Sequence, residues 1–330
     1  MPVDSPNRVR LDVAQARQLA ERVLARLGYD AGESRIVADH VVDAAVCGYE
    51  YSGLPKLLNI AEHPRMHEPR HAIRTLHETP VSARLDGGNQ NGMLAMRTAT
   101  GIAMDKAHAN GFALVGINNL WMSGRSAHYV ERIARAGLIG LHTVSSRPQV
   151  APPGAAQAAI GTNPIAFGFP SANEPLVIDL GTSAFMFTDL MFRERRGEAL
   201  PEGVAIDANG RPTTDPALAR LGAVLPFGGH KGFALALAMT ALGVAAGSGG
   251  DRDSAGYLVM AIRPDLLVPL ADYRRELAAL IDRIKGTPRQ PGIDAIRIPS
   301  ERAFAQRACA LREGIVIDRE IHEALLALAG

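Results

Sequence analysis

The chain has 330 residues, of which 47% are hydrophobic, and 35 Lys and Arg residues nearly balance 34 Asp and Glu residues. This length is enough for a large buried core. The near-neutral charge argues against a nucleic-acid partner, because proteins that bind nucleic acid usually carry a basic excess. Two cysteines are too few for a disulfide framework, and they fit a reducing cytoplasm.

Neither a targeting segment nor a membrane span is expected. The first residues lack the basic segment and following apolar stretch of a signal peptide. The longest apolar run, over residues 233–246, contains several Ala and Gly and is shorter than a bilayer span. We therefore expect a soluble protein with no membrane partner.

Two amphipathic helices are predicted at the start of the chain. Asp12 can cap a helix that ends near Gly28, and a second helix runs from about Glu33 to Cys47. Cys47 is expected to pack in the core. Four histidines that follow lack the close pairing of a zinc site, so we expect them to face solvent and to bind no metal. They are His63, His67, His71 and His77.

The middle of the chain alternates strands and helices, which indicates an α/β sheet covered by helices. The predicted elements are a strand over residues 83–86, a turn over 87–92, a helix over 93–110, a strand over 112–117, a helix over 125–137 and a strand over 138–144. Loops and short strands are expected over residues 145–230, with the basic cluster 193–196 in a solvated loop. The remaining elements are a helix from Lys231 to the glycines at 247–250, a strand over 258–262 and a helix over 270–285.

Four glycine-punctuated segments are the most informative feature of the chain. At such places the backbone comes close to another group, or turns where a side chain would clash. Their order, with a His and a Lys in the last, predicts a site for an anionic cofactor. The segments are Gly161-Thr162-Asn163-Pro164, Ile178-Asp179-Leu180-Gly181-Thr182-Ser183, Pro201-Glu202-Gly203 and Gly228-Gly229-His230-Lys231-Gly232.

Each segment leaves an alternative open. The last one precedes a helix, so helix N–H groups and Lys231 can face a phosphate, or the segment is simply a glycine turn. Asp179, at a strand end, can hold ribose hydroxyls, a backbone loop or a catalytic partner, or it can close an Asx turn. The Asn163 amide can fix a ligand carboxylate or carboxamide, or it can pin its own loop. No Gly-x-Gly-x-x-Gly joins a strand to a helix, so an ordinary Rossmann site is not predicted.

From about residue 111 to residue 247, the chain resembles the malate/L-lactate dehydrogenase family that is unrelated to the Rossmann-type lactate dehydrogenases. Besides the segments above, the match rests on Ala136-Gly137-Leu138-Ile139-Gly140, residues 207–216 (DANGRPTTDP) and residues 225–232 (LPFGGHKG), and a weaker match covers residues 39–58. The resemblance implies a mixed-sheet α/β fold with N-terminal helices, and a homodimer whose active site is shared between subunits. It also implies reduction of 2-oxo acids, or of cyclic imino acids such as piperideine-2-carboxylate, with NADH or NADPH.

The resemblance further implies roles for particular residues. Residues 1–80 would form a helical segment that contributes to the substrate site and the dimer, and residues 81–330 would form the α/β region that binds the cofactor. Thr162 and Asn163 would lie near the substrate. The cofactor would be held by Ser146, Asp179, Leu180, Gly181, His230 and Lys231, together with Ser300, Glu301 and Arg302 of a C-terminal turn.

The catalytic segments depart from the family pattern. Asn119-Leu120-Trp121-Met122-Ser123-Gly124 stands where the family has Asn-Ser-x-His-Phe-Gly, so Met122 occupies the position of the proton-donating His. Gly48-Tyr49-Glu50-Tyr51-Ser52-Gly53 stands where the family has Gly-x-x-Ser-His-Gly, so Tyr51 and Ser52 replace Ser-His. Lys56 replaces the Arg that grips the substrate carboxylate. A thioether cannot donate a proton, and losing a positioned acid costs about 10²–10⁴-fold in rate.

Three functions are compatible with these replacements. In the first, the protein is a reductase in which Tyr51, Lys56 or a bound water donates the proton, or in which a protonated imine needs less acid help. In the second, it binds a dinucleotide without hydride transfer, as a sensor or an inactive partner. In the third, the fold serves another reaction.

Two histidines and the only Trp lie near these segments in the sequence. His128 follows Met122 by six residues in a predicted helix and is expected to face another direction. His142 lies in an apolar strand and is expected to be a hydrogen-bonded core histidine. Trp121 either faces the ligand or packs in the core.

Overall fold

A computed structural model gives the structure of residues 7–249 and 254–330. The strands are β1 (Arg8–Leu11), β2 (Arg74–Thr79), β3 (Ser82–Asn91), β4 (Phe112–Trp121), β5 (Ile139–Ser145), β6 (Ile165–Phe169), β7 (Leu176–Leu180), β8 (Ala205–Ile206), β9 (Ala223–Val224), β10 (Gly256–Ile262) and β11 (Ile315–Asp318). The helices are α1 (Val13–Arg26), α2 (Ala31–Val46), α3 (Lys56–Ala61), α4 (Gly92–Asn110), α5 (Ser126–Arg135), α6 (Phe187–Arg196), α7 (Pro216–Leu221), α8 (His230–Ala245), α9 (Leu270–Lys285), α10 (Glu301–Glu313) and α11 (Arg319–Ala329). Short 3-10 helices cover Glu50–Ser52, Pro64–His67 and Pro264–Leu266.

A mixed sheet lies at the centre of the fold. Within the described ranges it contains seven strands in the order β2-β3-β4-β10-β5-β6-β7. β3 and β4 are parallel and joined through α4, whereas the other neighbouring pairs are antiparallel. The expected mixed-sheet α/β fold is therefore confirmed. Its central strands are apolar on both faces because helices cover the sheet.

The first helix forms where its cap and its apolar spacing predict it. The Asp12 carboxylate accepts a hydrogen bond from the Gln15 backbone N–H at 2.7 Å, and the Gln15 side chain accepts one from the Asp12 N–H at 3.0 Å. This reciprocal pair satisfies two N–H groups that the first turn leaves unpaired. Leu19, Val23 and Leu24 then share one buried face, as their spacing requires.

The first and the last described elements pack together with the N-terminal helices. β1 pairs antiparallel with β11, with Arg8 opposite Asp318. The hydrophobic core under α1 and α2 also contains Ile321 and Leu325 of α11. The proposed division between residues 80 and 81 stays a prediction, and in the structure it falls in the turn between β2 and β3.

Two local predictions are wrong. Residues 87–91 continue β3 instead of forming a turn, although the register with β4 shifts between Asp86 and Gln90. Gly87 is required there because a Cβ would lie 2.8 Å from the carbonyl oxygens of Asn118 and Asn119. The basic cluster 193–196 forms the last turn of α6 instead of a loop, where cations interact favourably with the helix dipole.

Cys47 is 1% exposed and packs in the hydrophobic core under α1 and α2, as predicted. In the described part of the chain, no helix has both the length and the apolar character needed to cross a bilayer.

Candidate active site

The loop after β4 carries Met122 in an unusual backbone conformation. Met122 has φ +58°, in the left-handed region that long side chains rarely adopt. The loop is held by the Tyr129 hydroxyl, which donates to the Ser123 carbonyl at 2.5 Å, and by His40 Nε2, which accepts from the Arg125 N–H at 2.8 Å. The structure therefore holds Met122 in a fixed loop, and its thioether cannot donate a proton. Its correspondence to the family histidine stays a prediction.

Trp121 packs in the core, which is the second of its two interpretations. Trp121 is only 3% exposed, and its indole Nε1–H donates a hydrogen bond to the Asn89 carbonyl at 3.2 Å. The His63 ring stacks on the indole, with a centroid separation of 4.5 Å and an angle of 13° between the planes. A direct substrate contact by Trp121 stays a prediction, and one face of its ring is already covered by His63.

His63 is half-buried, so the expectation that it faces solvent is wrong, while His67, His71 and His77 are exposed as expected. The 3-10 helix Pro64–His67 folds back onto β4 because the Arg65 guanidinium donates to the Leu120 carbonyl at 3.1 Å. Sequence spacing gave no indication of this contact, because Arg65 and Leu120 are 55 positions apart and come together only in the tertiary structure.

Lys56 is a buried cation at the first position of α3. The residue is 8% exposed, and among the described residues its ammonium has no carboxylate or carbonyl partner. Burial alone lowers the pKa of Lys56 to about 8. The charge of Lys56 in turn contributes to lowering the pKa of His63, which places the two side chains in one region. An incoming carboxylate would supply the missing counter-charge.

Tyr51 and Ser52 lie in the short helix between α2 and α3, and both are half-buried. Burial, together with the negative charges of Asp189 and Asp179, raises the pKa of Tyr51 to about 12. The Tyr51 phenol is therefore protonated at neutral pH and is a weak acid. Its nearness to Asp179 joins this segment to the predicted cofactor segments.

The predicted cofactor segments meet through backbone hydrogen bonds. The Thr182 N–H donates to the Thr162 carbonyl at 2.9 Å, and the Phe227 N–H donates to the Thr182 carbonyl at 3.1 Å. The Ser146 N–H donates to Asn163 Oδ1 at 2.9 Å. The structure thus brings together Ser146 and the segments that begin at Gly161, Ile178 and Gly228.

Asn163 pins its own loop, which is one of its two sequence interpretations. Besides accepting from Ser146, its amide donates to the Ala236 carbonyl at 3.0 Å and to Thr240 Oγ1 at 2.8 Å. The side chain is fully buried, and its φ of +33° is unusual for a residue other than glycine. A contact from Asn163 or Thr162 to the substrate stays a prediction.

At the start of α8, the backbone N–H groups of Lys231, Gly232 and Phe233 donate to the carbonyls of Gly228, Phe227 and Gly229. No side chain caps this helix at Gly229, and His230 and Lys231 are exposed. Gly232 permits the tight approach, because a Cβ there would lie 2.2 Å from the Phe227 carbonyl oxygen and 2.8 Å from that of Thr182. An exposed cationic side chain at the positive end of the helix dipole is suited to a phosphate.

β7 is an edge strand of the sheet, and Asp179 and Leu180 at its end are exposed. One carboxylate oxygen of Asp179 accepts a hydrogen bond from the Ala127 N–H at 2.7 Å. Ser146 Oγ is buried without a partner in the described part of the chain. An open sheet edge, an orphaned hydroxyl and the start of α8 therefore fit a dinucleotide. The role of Gly181 stays a prediction.

The C-terminal turn lies beside the segment that carries Tyr51. Ser300 adopts φ +66° and begins α10, and Glu301 pairs with Lys285. The Arg302 guanidinium lies over the Tyr49 ring at 5.6 Å. The cofactor roles of Ser300, Glu301 and Arg302 stay predictions.

His128 and His142 occupy different surroundings. His128 Nδ1 lies 3.2 Å from an Asp43 carboxylate oxygen, and its ring centroid lies 4.4 Å from that of His40. His142 is fully buried, as predicted, but neither ring nitrogen has a partner among the described residues. The expectation of a hydrogen-bonded His142 is therefore wrong, and burial lowers its pKa to about 3.

The family model described as malate/L-lactate dehydrogenase matches residues 11–326. The L-sulfolactate dehydrogenase of Methanothermobacter thermautotrophicus is 31% identical, with 97% of this chain and 96% of the relative covered. The Delta(1)-pyrroline-2-carboxylate/Delta(1)-piperideine-2-carboxylate reductase of Pseudomonas aeruginosa is 32% identical, with 97% and 99% covered. A dehydrogenase structure from Sinorhizobium meliloti superposes with a TM-score of 0.90 at 32% identity, over the full length of both chains.

The fold and these relatives define an oxidoreductase, because the relatives are dehydrogenases and reductases. The chain belongs to the malate/L-lactate dehydrogenase family. Dehydrogenases of this family act on 2-hydroxy or 2-oxo acids or on cyclic imines, with a nicotinamide cofactor.

Proposed function

We propose that this protein reduces a small 2-oxo acid or a cyclic 2-imino acid with NADH or NADPH. The observation that carries the proposal is Lys56, a buried ammonium with no counter-charge among the described residues. A buried unpaired charge is costly, so such a lysine is expected where a ligand of opposite charge binds. The acids and imino acids of this class share a carboxylate beside the reacting carbon.

The cofactor segments support binding of a dinucleotide. Lys231 at the start of α8 would face its phosphates, where the helix dipole also favours an anion, and Asp179, Leu180 and Gly181 would lie along it. The reduced nicotinamide supplies a hydride. The chain positions the substrate against it and keeps its carboxylate neutralised through Lys56. Carboxylate binding raises the pKa of Lys56, because the ammonium gains a partner.

The proton donor is the part of the site that differs from the family pattern. Met122 has no transferable proton, so Tyr51, Lys56 or a water is available for this role in reduction of a carbonyl. A cyclic imine that enters protonated needs no further proton. We also propose a homodimer in the cytoplasm, in which Cys47 and Cys309 remain free thiols.

A coenzyme oxidation assay tests this proposal. Pyruvate, oxaloacetate, other 2-oxo acids and cyclic imines are each paired with NADH and with NADPH, and coenzyme binding is followed by fluorescence in the same samples. Turnover with any member of either class supports the proposal. Tight coenzyme binding without turnover of any substrate would instead support a protein that binds the dinucleotide without hydride transfer.

A further inference from the structure

His63 has a defined tautomer and a defined ring position. Its Nδ1 accepts a hydrogen bond from the Arg65 backbone N–H at 3.2 Å, so the neutral ring carries its proton on Nε2. The Trp121 stack holds the plane of the ring. Nε2 has no partner among the described residues, and it is not sealed from solvent. His63 therefore presents one oriented N–H donor.

Cations surround this donor. Burial, together with the charges of Arg147, Arg65 and Lys56, lowers the pKa of His63 to about 4. The Arg65 guanidinium is occupied by Asn89 and Asn119. Arg147 is exposed and, like Lys56, has no carboxylate partner in the part of the chain that the structure describes. The ring is thus neutral at pH 7, in a region of positive potential.

We propose that the Nε2–H of His63 donates a hydrogen bond to the C2 oxygen of a 2-oxo acid, and that the site selects this substrate class over cyclic iminium acids. This inference rests on the proposed function. A carbonyl oxygen accepts from Nε2–H and gains stabilisation from the nearby cations as negative charge develops. An iminium nitrogen presents a second N–H and a positive charge, and both are repelled there. A neutral imidazole can polarise a carbonyl in this way.

The reaction balances with one hydride and one proton. As C2 gains the hydride supplied by the bound cofactor, the π electrons of the C=O bond move onto oxygen. His63 stabilises that oxygen through Nε2–H and keeps its own proton, because Nδ1 is occupied as an acceptor. A proton from water then completes the hydroxyl group.

Variants at position 63 test the donor. His63→Phe keeps an aromatic ring against Trp121 but removes the N–H, and we expect kcat/KM for a 2-oxo acid to fall about 10²-fold. His63→Gln restores a side-chain N–H and is expected to recover part of that loss. The exposed His67→Phe is the matched control, with activity unchanged. Turnover of piperideine-2-carboxylate, measured with the same variants, should change less than threefold.

A structural readout accompanies the kinetics. Nitrogen-15 NMR of the protein labelled in histidine, with His63→Phe for assignment, should show the Nε2–H tautomer of His63 at pH 7 and no protonation down to pH 5. An Nδ1–H tautomer, equal losses for both substrate classes, or no recovery in His63→Gln would overturn the inference. Wild-type turnover of imines alone would also overturn it, while the proposed reductase function would stand. Absence of all turnover with coenzyme bound would instead remove the proposed function itself.

Discussion

The buried charge of Lys56 favours the binding of an anionic ligand but destabilises the fold. Its ammonium is buried without a partner among the described residues, and burial lowers its pKa to about 8. Between pH 8 and the ordinary lysine pKa, Lys56 is largely protonated in the unfolded chain and largely neutral in the folded chain. Below pH 8 the folded state therefore carries the full cost of the buried charge, and that cost decreases as pH rises.

Lys56→Met is expected to stabilise the protein and to abolish its preference for carboxylates. The free energy of unfolding at pH 7 should rise by roughly 3 kcal/mol, since a shift of one pKa unit corresponds to about 1.4 kcal/mol. Urea denaturation at pH 7 and at pH 10.5 measures this, because the stability difference should nearly vanish at the higher pH. A variant that is less stable than wild type at pH 7 would contradict the buried-charge interpretation.

The same lysine gives a pH dependence of activity. In the wild type, kcat/KM for a carboxylate substrate should fall as pH rises above about 8, because the ammonium of the free enzyme loses its proton. Lys56→Arg should keep activity, and its kcat/KM should not fall above pH 8, because a guanidinium group stays protonated. Steady-state kinetics from pH 6 to pH 10 measure both profiles, and identical profiles would exclude Lys56 as the group that titrates.

Lys231 is expected to act on the coenzyme and not on the fold. It is exposed at the first turn of α8. Lys231→Ala should weaken coenzyme binding about 10–100-fold, which is the range for a hydrogen bond to a charged group. Coenzyme fluorescence titration measures this, and circular dichroism should be unchanged. Arg275→Ala, a cation on the exposed surface of α9, is the matched control. Unchanged affinity in Lys231→Ala would contradict the proposed cofactor site.

At the scale of elements, one arginine joins three helices. Arg307 of α10 donates to Glu131 of α5 at 2.6 Å and to Asp43 of α2 at 2.8 Å. Burial raises the pKa of the Asp43 carboxyl, but the hydrogen bond from His128 and the nearby arginines, Arg125 and Arg307, outweigh it, and the pKa lies well below its usual range. The charges of Arg307 therefore hold α10 to α5 and α2.

Arg307→Met is expected to destabilise the protein by about 3 kcal/mol, because it removes a cation shared by two partly buried carboxylates, Asp43 and Glu131. Carboxylates with lowered pKa stabilise the fold at neutral pH, and that stabilisation is lost as pH falls through the folded-state pKa. The variant should therefore lose less stability than wild type between pH 5 and pH 3. Urea denaturation across this range measures both effects. The exposed Arg312→Met is the control, and equal stability of the two variants would contradict the assignment.

At the scale of the whole molecule, α8 exposes large apolar side chains that no other part of the described chain covers. Only small residues and Met239 are buried along it, whereas Leu235, Leu237, Leu242 and Val244 are exposed. A helix that is apolar around its whole circumference is normally covered on every side. A second copy of the chain is the occupant that we propose, in agreement with the homodimer implied by the family resemblance.

Leu237→Asp is expected to convert the dimer into monomers. Leu237 is 53% exposed on α8, so a carboxylate there costs little in the single chain but would be buried in the dimer. Light scattering after size exclusion should give about 70 kDa for wild type, twice the 35.1 kDa of the chain, and about half of that for the variant. Leu267→Asp, at a position 92% exposed outside α8, is the control. A monomeric wild type would contradict the proposal.

Local information in the sequence was sufficient for many elements. Asp12 and the apolar face of α1 lie within one short segment, and a capping box with 3.6-residue spacing specifies a helix without help from distant residues. The order of strands and helices from β3 to β5 follows in the same way, because each element carries its own period. Three of the four glycine segments lie together in the structure, and Gly232 permits this because a Cβ there would clash with the carbonyl oxygens of Phe227 and Thr182.

Tertiary structure decided what local patterns cannot contain. β1 and β11 pair across more than 300 residues, and the strand identity of residues 87–91 depends on β4 beside them. The sequence determined that Met122 cannot donate a proton, because the residue type alone settles that chemistry. Only folding decided that His63 stacks on Trp121 near a buried Lys56, because burial, tautomer and counter-charge are properties of neighbours that the chain brings together from far apart.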